Sequence, residues 1–105
     1  MPKQERWSNP LTHQDKVEVS IVKEKGQVID FSVQYLAQIE GKWHPIVRFD
    51  TAHGSPHIDV SQPNGSKQTR HIRGLDNKEA LTYALGIISQ RWESYRKDYE
   101  KGVKQ

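Results

Sequence analysis

No cysteine occurs in the 105-residue chain. This excludes a disulfide framework, a thiolate zinc site and a cysteine nucleophile, and leaves histidines and carboxylates as the ligands any metal would need. No apolar run reaches the length of a membrane span, and the first ten residues, MPKQERWSNP, have no hydrophobic core of the kind a secretory leader carries. The expected location is therefore the cytoplasm, with no membrane partner. Charge of one sign is not in large excess. Sixteen Lys and Arg against thirteen Asp and Glu give a formal +3, a balance that permits contact with phosphate without demanding it. Glycine-rich nucleotide-binding loops and a serine-nucleophile elbow are also missing. There is no internal repeat and no low-complexity tract, and the length suits one domain with one core rather than a catalytic domain with a separate regulatory one.

What is present is alternation, followed by a change of period. Residues 1–15 are polar and interrupted by Pro2 and Pro10, which predicts an irregular N-terminal arm pinned by Trp7 and Leu11. Residues 16–105 read as a single α+β domain. Val17, Val19 and Ile21 alternate over 16–23. Ile29, Phe31, Val33, Tyr35, Ala37 and Ile39 do so over 28–39, against polar neighbours. A third strand over 42–51 contains Pro45, which implies an edge position or a bulge because proline cannot donate to the ladder. Shorter strands follow over 57–61 and 67–73. After Gly74 the spacing turns to three and four, with Leu81, Ala84, Leu85, Ile88, Trp92, Tyr95 and Tyr99 forming the stripe of a helix over about 77–101. Asp76 and Glu79 form its capping box. Each apolar face needs a cover, so the predicted fold is an antiparallel β-meander of about five strands packed against one long C-terminal α-helix.

Most of the unusual chemistry lies in RFDTAHGSPH, residues 48–57. If Phe49 pairs with Ile58 and Val47 with Val60, the connecting loop is AHGS, with Gly54 free to take a positive φ. Strand parity then sends Arg48, Asp50, His57 and Asp59 to the face away from the helix, with Asp50 beside His57 and Arg48 beside Asp59. A three-residue loop in QPNGS, with Pro63 opening a type I turn and Gly65 left-handed, sets His71 across from His57 and turns Ile72 inward. The alternative two-residue turn at Asn64 and Gly65 brings Arg70 to the open face instead. His53 stands at the loop rim.

A carboxylate beside an imidazole fixes its tautomer and raises its basicity, and an adjacent guanidinium suits a phosphate or a developing oxyanion. The candidate catalytic residues are therefore His57, His53, His71, Asp50 and Arg48. The plain alternative is a set of cross-strand ion pairs on a solvated face. Zinc or manganese held by His53, His57, Asp50 and Asp59 is a further alternative, but no ligand signature such as His-Glu-x-x-His is present, and no metal or other cofactor is expected.

The run Arg48, Phe49, Asp50, His53, Gly54, Pro56 and His57 resembles the signature of a family of small uncharacterised prokaryotic domains, Arg-aromatic-Asp-x-x-His-Gly-x-Pro-His. It is more distantly similar to the TumE-like toxins of toxin–antitoxin systems. That resemblance implies a ribonuclease that needs no metal, with RNA as substrate and a cognate antitoxin protein as partner. His57 would be the general base, His71 or His53 the general acid, and Arg48 the phosphorane clamp. Members of the family carry another histidine or basic residue two positions after the last histidine, where this chain has Asp59. That departure favours the alternative, a non-catalytic RNA- or protein-binding module using the same polar sheet face.

Overall fold

The structure, a computed structural model, describes residues 1–51 and 54–103. Six strands, β1 (Lys3–Thr12), β2 (Asp15–Glu24), β3 (Gln27–Ile39), β4 (Lys42–Asp50), β5 (His57–Ser61) and β6 (Lys67–His71), precede one helix, α1 (Asn77–Val103). The strands form a single antiparallel sheet in chain order. The β2–β3 and β3–β4 turns are Lys25-Gly26 and Glu40-Gly41, with all four residues at positive φ. This is the two-residue hairpin geometry whose twist matches that of the strands it joins.

One sheet face carries Val17, Val19, Ile21, Phe31, Val33, Tyr35, Val47 and Phe49. The helix lies over it with Leu81, Ala84 and Ile88 buried, which is the α+β packing predicted from the two periodicities. Trp92 is half-buried, its ring 5.9 Å from that of Tyr35. Leu85, although in the predicted stripe, is exposed. The capping box forms as expected: Glu79 N–H donates to Asp76 Oδ1 at 2.8 Å, and Asp76 N–H donates to Glu79 Oε1 at 3.0 Å.

Three departures from the sequence reading have local causes. Residues 3–12, expected within an irregular arm, instead form β1, paired along β2 from Lys3↔Lys23 to Thr12↔Asp15. As an edge strand β1 tolerates Pro10, and it is held by ladder bonds with almost no burial of its own. A bulge between Asp30 and Val28 leaves Ile29 exposed and brings Val28 to the core in its place. The predicted disturbance at Pro45 is also a bulge. β4 is an interior strand, and Ile46 is inserted between the pairs Leu36↔Pro45 and Tyr35↔Val47, so Ile46 and Val47 are both buried.

A polar knot joins the helix to the β1–β2 and β3–β4 turns. Asp15 accepts from Thr12 Oγ1, from Tyr35 Oη and, at 2.7 Å, from Arg96 Nη1. The same guanidinium donates to the carbonyls of Gln14 and Gln38 and to Glu100. Burial by itself would raise the Asp15 carboxyl, but the three hydrogen bonds and the charge of Arg96 outweigh it and hold the group below its ordinary value. Burial, with the Asp15 charge beside it, pushes the Tyr35 phenol far up. At the far end of α1, Gly102 lies so close to the β5–β6 turn that a Cβ there would stand 2.8 Å from Pro63 Cγ.

Candidate functional site

The register that positions the polar cluster is the one expected. Arg48 is opposite Asp59, Asp50 opposite His57, and His57 opposite His71. The β5–β6 turn is the three-residue form. Gly65 N–H donates to Gln62 O, Gln62 N–H donates to Ser66 O, and Gly65 has φ 90°. Pairing between β4 and β5 stops at Asp50↔His57 and does not continue to the edge of AHGS. Pro56 has no N–H, and Thr51 turns away to bond Phe31 through both its N–H and its hydroxyl. His53 lies outside the described residues.

Arg48, Asp50, His57 and Asp59 come together on the open face, with one rearrangement. Arg48 does not pair with the aspartate opposite it but reaches along its own strand, with Nε 2.6 Å from Asp50 Oδ2. The other Asp50 oxygen, Oδ1, is 2.8 Å from His57 Nε2. Asp59 accepts from Thr69 Oγ1 at 2.6 Å through Oδ1, while its Oδ2 lies 3.6 Å from His57 Nε2 and 3.7 Å from Lys67 Nζ. His57 Nδ1 is 3.2 Å from the Ser55 carbonyl. The acids and the imidazole are buried, whereas Arg48 is half exposed and Lys67 more so. Among the described residues, no buried side-chain nitrogen or oxygen is left without a hydrogen-bond partner. His71 is exposed, its ring centroid 6.2 Å from that of His57.

This geometry divides the imidazoles by role. Both ring nitrogens of His57 face acceptors inside a buried cluster, whereas a general base must reach the proton it removes. His71, by contrast, is exposed to solvent. The acids are matched by Arg48, Lys67 and Thr69, so the cluster draws little on bulk solvent.

A second site was not singled out from the sequence. On the helix side of β5 and β6, α1 diverges from the sheet and leaves a groove of about 630 Å³. Ile58, Val60 and Ile87 give it an apolar floor, and Arg70, Arg73, Arg91, Tyr83 and Tyr95 also line it. Tyr83 meets Phe49 edge-on at 6.3 Å. Burial pushes the Tyr95 phenol up, while the charges of Arg91 and Arg70 act against it. Among the described residues the arginines in ion pairs are Arg48 and Arg96; Arg70, Arg73 and Arg91 have no carboxylate partner. Two signals for this groove were in the sequence. The turn that puts His71 on the open face necessarily puts Arg70 on the other, opposite Ile58. Tyr83, Ile87, Arg91 and Tyr95 are spaced by four, a helical stripe beside the core stripe.

The fold and its two polar sites occur in a chain that belongs to the DUF7718 family, a domain of unknown function whose family model matches residues 1–105. No curated protein and no solved structure matches the chain. Among the described residues no helix is long and apolar enough to cross a membrane.

Proposed function

We propose that the protein binds single-stranded RNA without cleaving it, and that the strand runs through the groove between α1 and the β5–β6 hairpin. The observation that carries this reading is the set of arginines Arg70, Arg73 and Arg91, which line an aromatic groove and have no carboxylate partner among the described residues. Folding gains nothing from pairing them, and phosphate is the ligand their planar donor forks suit. Tyr83 and Tyr95 offer ring faces on which bases stack whatever their sequence. The open face fits the role less well, because Arg48 is committed to Asp50 and the acids there would repel a phosphate. Cleavage by His57 is disfavoured by its burial and its two engaged ring nitrogens.

The test is binding of a labelled single-stranded RNA at several salt concentrations, with the RNA recovered afterwards and sized. Arg91→Ala and Arg70→Ala are expected to weaken binding and to flatten the salt slope by about 0.7 each, the amount one lost phosphate contact contributes on a single strand. Tyr83→Ala is expected to cost about 1–3 kcal/mol if a base stacks there. Binding that falls with Arg48→Ala and ignores Arg91→Ala moves the interface to the open face. RNA that is cut by the wild type and spared by His57→Gln or His71→Gln replaces this reading with the ribonuclease.

A further inference from the structure

We propose that Asp50 Oδ1, His57 Nε2 and Asp59 Oδ2 form a binding site for one divalent transition cation. One ligand atom from each of these three buried side chains lies within 4.8 Å of those from the other two. The separations from Nε2 are 2.8 Å to Asp50 and 3.6 Å to Asp59. Donor atoms around a zinc-like ion with bonds of about 2.0–2.2 Å stand roughly 3–3.5 Å apart when adjacent, so small adjustments bring the three into one shell.

The outer contacts make this more than a cluster of acids. Each carboxylate has one oxygen held by a neighbour and the other facing His57 Nε2. Arg48 holds Asp50 by Oδ2, and Thr69 holds Asp59 by Oδ1. The imidazole is oriented in the same way, with Nδ1 against the Ser55 carbonyl and Nε2 directed inward. Ligating histidines and carboxylates in metal sites are anchored by such second contacts, which fix both the tautomer and the ring plane. Nε2 faces two carboxylate oxygens, so a positive centre belongs between them. One nitrogen with two carboxylate oxygens suits manganese or zinc better than magnesium or calcium, which favour all-oxygen shells. Arg48 and Lys67 add positive charge nearby, but the first side chain is half exposed and the second more so. Lys67 can leave Asp59 for solvent, and Arg48 acts on the Asp50 oxygen that does not face the ion. Three protein ligands leave the remaining coordination positions to water or to an anion.

The site stands apart from the RNA groove and is tested without RNA. Zinc or manganese is titrated into the metal-free protein, following the number of ions bound, the melting temperature and the NMR signals of the histidine rings. One ion per chain, a raised melting temperature and a displaced His57 Nε2 resonance are expected. Asp59→Asn and His57→Gln should weaken binding by about tenfold or more, Thr69→Val by about tenfold through lost orientation, and His71→Ala should leave it intact. If a ligand variant fails to fold, the ring signals of the wild type decide. The proposal is overturned if no saturable site with one ion per chain is found, if the His57 Nε2 signal does not respond, or if His71→Ala is the variant that abolishes binding.

Discussion

Asp15 accepts hydrogen bonds from Thr12, Tyr35 and Arg96, and so joins a turn, a central strand and the helix at one carboxylate. Because its folded-state value lies below the ordinary 3.8, its contribution to stability is fully present above the unfolded-state value and is lost as pH falls through the lower, folded-state one. The melting temperature is thus expected to drop as pH is lowered below about 4. Asp15→Asn should cost about 3 kcal/mol at neutral pH, since it leaves the Arg96 guanidinium, only 18% exposed, with the more exposed Glu100 as its one remaining carboxylate among the described residues. It should also remove part of the acid dependence; thermal melts of both proteins from pH 2.5 to about 7 check this. At this scale the sequence was informative about faces and silent about rotamers. Parity placed Arg48, Asp50, His57, Asp59 and His71 on one face, because a strand has period two. It said nothing of Arg48 turning toward Asp50 rather than the facing Asp59, a choice made by side-chain torsions and by Thr69 already holding Asp59. The Asp15 knot was not read either, since Arg96 lies 81 positions away and no local pattern announces it.

Among elements, α1 depends on the sheet more than the sheet depends on β1. Trp92→Ala should cost about 2–4 kcal/mol in chemical denaturation, toward the low side for a large aromatic because the ring is only half-buried. Leu85→Ala, at an exposed position, should be nearly neutral. β1 buries almost nothing. Its amides should exchange with solvent well before those of β3 and β4, whose residues Val33, Tyr35, Val47 and Phe49 form the centre of the core. The same contrast explains what was legible. β2, β3 and α1 were readable to within a few residues because burial writes a period into the sequence. β1 is held by backbone ladder bonds, which any residue with an N–H can make, so it left no pattern, and Pro10 within it and Pro2 before it suggested an arm. The bulge at Ile29 misled in another way: a single inserted residue reverses parity without altering composition. The groove was missed because Tyr83 and Arg91 sit beside the core stripe, where they read as ordinary solvent-facing residues of a helix, Tyr95 was read as part of that stripe, and Arg70 and Arg73 lie in and just after β6.

Taken as a whole the molecule is elongated, 47 × 27 × 22 Å with a radius of gyration of 14.1 Å, above the roughly 13 Å expected of a compact domain of this length. Solution scattering should return a value near 14 Å for the isolated chain; a much larger one would mean that β1 exposes its edge to a second copy. The close approach of Gly102 to Pro63 offers a further check. Glycine to alanine in a helix is ordinarily stabilising by up to about 1 kcal/mol. Here a Cβ would press on a proline ring that has little room to yield, so Gly102→Ala should be destabilising by about 1 kcal/mol or more, read by denaturant midpoint. The helix and the β5–β6 hairpin touch at that point and part as they run toward Arg70 and Arg91, like the two arms of a pair of tongs. In such an arrangement the pivot governs the jaws. A substitution at position 102, which does not itself line the groove, should change how wide the jaws stand, and on the proposed reading this would show as altered RNA affinity with every groove residue intact.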